Sequence, residues 1–339
     1  MRTSMNSPIA ITMGDPAGIG PEIVVKTIAH QVPTTPIVVY GDCARLETEA
    51  EALGLSVEVV SIETPGEARA VAGQVYVLQG PALAADLPIG CVSAAAGEAA
   101  FRYVESAIAD AMAGEVAAIV TAPINKESIR LAGHHYPGHT EILAEHSGTE
   151  DFSMMMASDD LNVVLVTIHQ ALREAIASID EAAVLRVIRL ADRTLSRGGT
   201  RARIGVAGLN PHAGENGLMG REEIDIIGPA VAAAQREGID ASGPFPPDTV
   251  FMRARQGAFD VVIAQYHDQG LIPFKYLGID LGTNVTIGLP FVRTSVDHGT
   301  AFDLAGKGVA DHASLQMALR QATDLVTESA PNVTPSAAR

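Results

Sequence analysis

Three histidines follow short apolar runs of the kind that forms buried β-strands. The runs are Val163–Ile168, Ile204–Leu209 and Val261–Tyr266, and the histidines are His169, His212 and His267. Helical segments separate these runs, so we expect parallel strands whose carboxyl ends bring the three side chains to one ligand-binding edge of the sheet. Three imidazoles converging there would bind a divalent cation and leave coordination positions open. Spacing alone does not decide between this site and three separate structural histidines.

A carboxylate and several anion-binding candidates surround the third histidine. Asp268 follows it directly and is either an orienting partner or general base for the site, or a carboxylate that caps a turn. Lys275, Asn284 and Arg293 come next, in runs that contain Pro273, Gly282 and Pro290. Single residues of these types are usually solvated, but three of them behind a candidate metal ligand favour phosphate or carboxylate capture. His139 and Thr140 are weaker candidates as additional donors.

The composition excludes several classes of function. The 339 residues include 40 acidic and 23 basic side chains, a formal net charge of -17, so the chain should be repelled by nucleic acids and anionic membranes. The two cysteines, Cys43 and Cys91, do not suggest a disulfide framework or a metal knuckle. The sequence shows no signal-peptide pattern and no apolar run long enough to span a bilayer, so we expect a cytoplasmic protein.

Short apolar runs alternate with amphipathic segments, which predicts an α/β fold with a mostly parallel sheet. Ile9–Met13 is expected to be the first strand, Gly97–Ala113 a helix, and Arg221–Arg236 a helix that Pro229 kinks. Neither a Rossmann glycine fingerprint nor a P-loop follows a predicted strand. The glycines of Asp297–Gly308 would allow close approach of the backbone to a ligand.

Five motifs together resemble the 4-hydroxythreonine-4-phosphate dehydrogenase family, including its D-threonate and D-erythronate 4-phosphate branch. They are Gly14–Glu22, Gly138–Glu141, Asn210–Glu215, Tyr266–Gly270 and Arg293–Ala301. The resemblance extends over nearly the whole chain, with the motifs in family order. The first motif and Ala305–Gly308 also resemble the isocitrate and isopropylmalate dehydrogenase group.

The resemblance implies a two-lobed α/β/α fold with the active site in the inter-domain cleft at a homodimer interface. We expect residues 1–130 and 290–339 to form the first α/β/α domain, on the cofactor side. Residues 131–289 would form the second, on the side of the metal and the dimer interface.

The resemblance also implies a role for each matching residue. His169, His212 and His267 match the metal ligands, and Asp268 and Lys275 are the predicted catalytic residues. Gly299, Thr300 and Asp303 are the predicted cofactor contacts. The predicted substrate-binding residues are His139, Thr140, Asp248, Lys275, Asn284 and Arg293.

The implied enzyme is an oxidoreductase acting on a CH–OH group, with one divalent metal (zinc, magnesium or cobalt) per site and NAD or NADP as cofactor. It would oxidise the 3-hydroxyl of 4-phosphooxy-L-threonine and decarboxylate the product to 3-amino-2-oxopropyl phosphate, a step of pyridoxine biosynthesis. The alternative is oxidation and decarboxylation of 4-phospho-D-threonate or 4-phospho-D-erythronate to dihydroxyacetone phosphate. A phosphate-metabolite acyltransferase on a related fold is a weaker alternative, because such an enzyme does not need three convergent histidines. A metal-dependent hydrolase without a redox cofactor is a further weaker alternative.

One departure from the family pattern bears on the substrate. Gln170 and Ala171 follow the first histidine, where the family usually has an apolar pair. A polar side chain at this position would alter the pocket near the amino or hydroxyl group of the substrate. The sequence leaves open the physiological substrate, the choice between NAD and NADP, and the native metal.

Overall fold

The computed structural model describes residues 7–196, 199–278 and 282–329 of a mixed α/β protein. The chain divides into two compact units, unit 1 (Met1–Glu150 and Leu289–Thr327) and unit 2 (Asp151–Gly288 and Glu328–Arg339). The first segment of unit 1 thus ends at Glu150, whereas the sequence placed a boundary near residue 130. Residues 131–150 belong to unit 1 because their apolar side chains, Ile142 and Leu143 among them, lie in its hydrophobic core.

Unit 1 contains a parallel sheet with strand order β3-β4-β2-β1-β5-β12. The strands are β1 (Ile9–Thr12), β2 (Ile37–Gly41), β3 (Glu58–Ile62), β4 (Gln74–Gln79), β5 (Ala118–Thr121) and β12 (Val292–Ser295). Every residue of β1, β2 and β5 is buried. Both faces of these strands are therefore covered, as expected for a parallel sheet.

The helices of unit 1 bury apolar faces against this sheet and against one another. They are α1 (Gly20–His30), α2 (Cys43–Ala52), α3 (Ala94–Ala113), α4 (Lys126–Leu131), α5 (His139–Ser147) and α11 (Ala313–Ser329). The predicted helix Gly97–Ala113 is confirmed as α3. It begins earlier because Ser93 caps it, its Oγ accepting a hydrogen bond from the amide of Ala96 at 3.4 Å.

Gly97 allows α3 to approach α4 closely. A Cβ atom at this position would lie 2.0 Å from the carbonyl oxygen of Ser128, a backbone atom that cannot rotate away. We expect Gly97→Ala to lower the free energy of unfolding by about 1–3 kcal/mol, the usual cost of overpacking a core. Chemical denaturation would measure the change, with Gly66→Ala as the control, because nothing lies within 4 Å of a Cβ there. Equal stability of the two variants would contradict this prediction.

The strands of unit 2 follow one another in the order β11-β6-β7-β10-β8-β9. The strands are β6 (Ser153–Ala157), β7 (Asn162–Leu165), β8 (Ile204–Ala207), β9 (Ala241–Phe245), β10 (Val261–Ala264) and β11 (Thr283–Ile287). Strands β7, β10, β8 and β9 run parallel, whereas β6 is antiparallel to both β7 and β11. These six strands are therefore mixed in direction. The prediction of a mostly parallel sheet holds for β7, β10, β8 and β9 and for the strands of unit 1.

Among its described residues, unit 2 has five α-helices. They are α6 (Leu172–Ser178), α7 (Glu181–Leu195), α8 (Gly228–Arg236), α9 (Pro247–Arg255) and α10 (His267–Tyr276). The predicted helix Arg221–Arg236, with an irregularity at Pro229, is confirmed from Glu222 onward. A single π-helical turn, Glu223–Ile227, leads directly into α8 at Gly228, next to Pro229, which lacks a backbone N–H.

Two further structural facts bear on the site. The three strands before the histidines end earlier than predicted, at Leu165, Ala207 and Ala264, so irregular segments connect β7 and β8 to their histidines. Within the described ranges, no helix combines the length and apolar character that crossing a bilayer requires.

Candidate functional site

The three candidate metal ligands follow neighbouring parallel strands of unit 2. Strand β10 lies between β7 and β8, and all three run in the same direction. His169 lies beyond the end of β7, His212 beyond the end of β8, and His267 is the first residue of α10, just after β10. The carboxyl edge of the sheet therefore carries all three residues, in the topological arrangement that the sequence indicated.

Two buried glutamines tie these strand ends together. The side-chain amide of Gln265 donates to the carbonyl of Ala207 at 2.7 Å, and that of Gln269 donates to the carbonyl of Gly208 at 2.8 Å. Gln269 also accepts from the amide of Gln265 at 2.7 Å, and the hydroxyl of Thr167 donates to the carbonyl of Gln265 at 2.9 Å. The backbone segments that lead to the three histidines are thus held by one hydrogen-bond network.

Two of the three histidines are adjacent. The ring centroids of His169 and His267 are 5.6 Å apart. Nδ1 of His267 is 2.7 Å from Oδ1 of Asp268, a contact that leaves Nε2 available to a ligand. A carboxylate on the far nitrogen is the usual support of a metal-binding imidazole. These residues line a cavity of 330 Å³ together with Gln170 and Tyr266.

His212 lies in an unusual backbone turn. His212, Ala213, Gly214, Glu215 and Asn216 all have positive φ angles between 43° and 77°. The left-handed conformation costs about 1–2 kcal/mol for each residue other than glycine. Strain of this size persists only where the surrounding structure enforces it, and it often marks a functional site.

The donor set suits a divalent cation, although the side chains are not gathered into a complete shell. Imidazole nitrogens supported by a carboxylate fit zinc, cobalt and related ions. Among the described residues, no group of three or more His, Cys, Asp or Glu side chains is close enough together to hold a metal ion. The structure therefore brings His169 and His267 together with Asp268, and leaves the three-histidine centre a prediction.

The other predicted residues of unit 2 lie on three different elements. Asp248 is an exposed residue in the first turn of α9, whose N-cap is Pro246. Lys275 is half-buried near the end of α10, the helix that begins with His267. Asn284 lies on β11, and its amide nitrogen is 3.2 Å from the sulfur of Met154. Their predicted substrate contacts remain predictions.

A second cluster, in unit 1, is rich in positive charge. Arg293 on β12 is 3% exposed, and its Nη2 donates to Oγ1 of Thr121 at 2.8 Å. His139 and Thr140 begin α5, whose N-cap, Gly138, makes no side-chain capping bond. The first amides of such a helix are ready donors to an anion.

The electrostatics of this cluster fit anion binding. Burial lowers the pKa of Arg293 to about 10, and Glu141 opposes that shift, so the guanidinium stays charged at neutral pH. Burial also lowers the pKa of His139 well below its usual value, with further contributions from Arg293 and Lys126. In the described part of the chain, the buried Nε2 of His139 has no hydrogen-bond partner. A neutral donor beside a buried cation is well placed to bind an anionic oxygen.

Lys126 belongs to this cluster and was missed by the sequence analysis. Its Cε lies 3.9 Å from a Cβ built on Gly138, next to the start of α5. Lys126 is also the first residue of α4, where the helix dipole disfavours a positive charge. A lysine at such a position in a strongly acidic chain is a signal that could have identified it.

The low pKa of His139 predicts a pH dependence of stability. Between the folded and unfolded pKa values the unfolded chain binds more protons, so stability falls as the pH is lowered below about 6.5. We expect His139→Gln to flatten this part of the profile of melting temperature against pH between pH 7.5 and 5.5. His135→Gln, at an exposed neighbouring position, is the control. Parallel profiles for the wild type and His139→Gln would contradict the prediction.

The predicted cofactor contacts follow β12 in unit 1. Gly299 and Asp303 are exposed, and Thr300 is 8% exposed. Thr300 packs against Gly18, where a Cβ would lie 3.0 Å from its side chain, and its carbonyl accepts from the amide of Ile19 at 3.1 Å. Thr300 therefore fastens this loop to the first glycine-rich loop, and a cofactor role for the three residues stays a prediction.

Comparisons with known proteins agree with the motifs. A family model described as pyridoxal phosphate biosynthetic protein PdxA matches residues 33–322. The chain is 52% identical over 322 residues to a 4-hydroxythreonine-4-phosphate dehydrogenase of Beijerinckia indica, covering 95% of this chain and 96% of that protein. It is 49% identical over 327 residues to a D-threonate 4-phosphate dehydrogenase of Cupriavidus necator, covering 95% and 98%.

A crystal structure gives the same result for the fold. The structure of a 4-hydroxythreonine-4-phosphate dehydrogenase from Klebsiella pneumoniae superposes with a TM-score of 0.89 at 46% identity, covering 94% of this chain and 99% of that one. These matches confirm the family that the motifs indicated. The chain belongs to the pyridoxal phosphate biosynthetic protein PdxA family.

Proposed function

We propose that the chain is a metal-dependent, nicotinamide-linked dehydrogenase of 4-phosphooxy-L-threonine that forms 3-amino-2-oxopropyl phosphate and carbon dioxide. The observation that carries the proposal is the adjacent pair His169 and His267 with Asp268 at the carboxyl edge of the unit 2 sheet. The name of the Beijerinckia relative supports this substrate. The homodimer with a shared site remains a prediction.

The metal would be held by His169, His212 and His267. When bound, a divalent cation supplies Lewis acidity, which lowers the pKa of an alcohol and stabilises developing negative charge. Asp268 orients the imidazole of His267 through Oδ1, so that Nε2 points away from the carboxylate. This arrangement fixes the ring before substrate arrives and reduces the entropic cost of forming the site.

The proposed reaction oxidises C3 and then releases the carboxylate as carbon dioxide. When bound, an oxidised nicotinamide would supply the acceptor for the C3 hydrogen, which would leave as hydride with two electrons. The hydroxyl proton would pass to Asp268 or to a water that Asp268 orients. The bond between C2 and the carboxylate carbon then breaks and releases carbon dioxide. The electron pair left on C2 takes up a proton, for which Lys275 is the proposed donor. Arg293, Lys275 and Asn284 are assigned to the phosphate, which positions the substrate.

A second substrate has a specific observation in its favour. Gln170 lines the cavity beside His169, and its Oε1 accepts a hydrogen bond from the hydroxyl of Ser178 at 3.0 Å. The amide then offers its NH₂ donors to the cavity, and these suit a hydroxyl oxygen better than an ammonium group. This geometry favours 4-phospho-D-threonate or 4-phospho-D-erythronate, in line with the name of the Cupriavidus relative.

The test is a comparison of turnover on the three phosphorylated acids. Purified protein is supplied in turn with zinc, magnesium or cobalt and with NAD or NADP, and reduced nicotinamide is followed by its absorbance. The proposal predicts metal-dependent reduction with at least one acid, and the ratio of kcat/KM values identifies the substrate. No reduction with any combination would contradict a dehydrogenase and favour the acyltransferase or hydrolase alternatives.

Changing Gln170 should change the preference between these acids. Gln170→Glu replaces an amide by a carboxylate. The carboxylate attracts the ammonium group of 4-phosphooxy-L-threonine, which the two hydroxy acids lack. A charge-assisted hydrogen bond contributes about 1.5–3 kcal/mol, so we expect the ratio of kcat/KM for the amino acid over the hydroxy acids to rise by roughly tenfold or more. Gln170→Leu is the control for loss of the amide alone. An unchanged ratio would show that Gln170 does not contact the C2 substituent.

A further inference from the structure

Glu223 is a buried carboxylate to which no role in the reaction has been assigned. It begins the π-helical turn before α8 and is 4% exposed. Its Oε1 accepts hydrogen bonds from the backbone amides of Leu209 and Asn210, each at 2.7 Å. Its Oε2 accepts from the side-chain amide of Asn210 at 3.0 Å. All three donors lie in the segment that connects β8 to His212.

The loop that carries His212 wraps around this carboxylate. A Cβ atom on Gly214 would lie 2.6 Å from Oε2 of Glu223, and one on Gly208 would lie 3.1 Å from Oε1. The backbone therefore contacts Glu223 on both sides of His212. Side chains at either glycine would displace the carboxylate or the loop.

This contact explains how the left-handed turn of residues 212–216 is maintained. Four of its five residues carry side chains that disfavour positive φ, so local preference alone would not produce it. Hydrogen bonds from amides to an ionised carboxylate are about twice as strong as neutral ones. Three of them, made just before the turn, fix the direction in which the chain enters it.

We propose that Glu223 is a positioning residue that sets the orientation of His212 and thereby the affinity of the site for a divalent cation. The inference rests on the proposed metal centre. Both carboxylate oxygens of Glu223 accept hydrogen bonds from residues 209 and 210. Glu223 would therefore act on His212 through the backbone of this loop and not as a metal ligand itself. The donors to Glu223 are two backbone amides and one side-chain amide.

The neighbouring carboxylates do not share this position. Glu222 also contacts the side-chain amide of Asn210, at 2.6 Å, but makes no contact with the backbone amides before His212. Asp225, in the same π-helical turn, is exposed and paired with Arg221. Asp225→Asn is therefore a control that removes one carboxylate from the turn without touching the His212 loop.

The test is binding of cobalt(II) alone to the metal-free, full-length protein, measured by equilibrium dialysis with metal analysis. The variants are Glu223→Gln, Asp225→Asn and His212→Ala. Loss of a partner that orients a metal ligand typically weakens affinity by about 10–100-fold, so we expect that loss in Glu223→Gln and no change in Asp225→Asn. Saturating cobalt should restore kcat of Glu223→Gln, because the groups that contact substrate are intact. A purely structural defect would not be rescued in this way.

Hydrogen exchange gives an independent measurement. Peptides covering residues 208–218 should exchange faster in Glu223→Gln than in the wild type, with the rest of the described chain unchanged. Unaltered cobalt affinity in Glu223→Gln, together with its loss in His212→Ala, would overturn the inference and leave the metal centre standing. Unaltered affinity in His212→Ala would instead overturn the metal centre itself. If Glu223→Gln does not fold, Glu223→Asp, whose shorter side chain cannot reach the same amides, is judged by the same criteria.

Discussion

Replacing His267 by alanine is expected to remove bound metal and turnover together. Nδ1 of His267 lies 2.7 Å from Oδ1 of Asp268, and the ring centroid of His267 lies 5.6 Å from that of His169. Loss of a supporting partner alone costs about 10–100-fold in affinity, so loss of a ligand should exceed about 100-fold. Lewis-acid stabilisation contributes several kcal/mol to a transition state, so kcat should fall by roughly 10³-fold or more.

Two companion variants make this result specific. His30→Ala, at an exposed position at the end of α1, should leave both metal content and turnover unchanged. Asp268→Asn should keep most of the metal and lose most of the turnover, because an amide can still accept a hydrogen bond from the imidazole but is a poor base. Full activity of His267→Ala after metal removal would contradict the proposed mechanism.

Replacing Arg293 by glutamine is expected to cost most of the affinity for the phosphorylated substrate. The guanidinium is 3% exposed, and both Arg293 and Lys126 act electrostatically on His139, so the cluster combines a buried cation with a second positive charge. Removing one partner of a buried charge pair typically costs about 2–5 kcal/mol, which is roughly 30-fold or more in KM. Glutamine can still reach Thr121, so the fold should be preserved.

The distinction between binding and folding is measurable. The melting temperature of substrate-free Arg293→Gln should be no lower than that of the wild type, because burying a charge is unfavourable in itself. Arg293→Lys should have an intermediate KM, since lysine keeps the charge but loses the planar fork that suits phosphate. Arg102→Gln, which breaks an exposed ion pair on α3, is the control. A KM unchanged in Arg293→Gln would remove this residue from the substrate site.

The sequence predicted the arrangement of the strands better than their ends. The apolar runs before His169, His212 and His267 identified three strands, and the structure places them side by side. Each run continues past the last paired residue because the segments beyond the strands are also buried, as Val166 and Gln265 are. Burial and strand pairing produce the same apolar pattern, so the pattern cannot show where pairing stops.

Antiparallel pairing was harder to predict. Strand β6 contains Met154, Met155 and Met156, which have no strong preference for strands, and β11 pairs with it from far along the chain. The same limit applies to the unit boundary. Residues 131–150 join unit 1 through contacts of Ile142 and Leu143 with a core made largely of earlier residues, and no local signal marks that choice.

The groups that support the site were the least predictable part. Glu223 is 14 and 13 residues along the chain from the two backbone amides that it binds, and its local sequence suggests only an ordinary helix-terminal charge. The left-handed turn at His212 contains only one glycine among the five residues with positive φ. Its conformation depends on Glu223, a tertiary contact, and therefore could not be deduced from turn propensities. The candidate site residues were proposed from their motifs, whereas Glu223 could be identified only from the structure.

In the proposed site, His169, His212 and His267 bind one divalent cation. The most direct measurement is the anomalous difference map of a crystal of the cobalt-loaded protein. We expect one strong peak beside β7, β10 and β8, with a nitrogen of each imidazole about 2.0–2.1 Å from it, the distance found for zinc-type sites. Cobalt bound elsewhere, or coordinated by no more than one of these imidazoles, would contradict the claim.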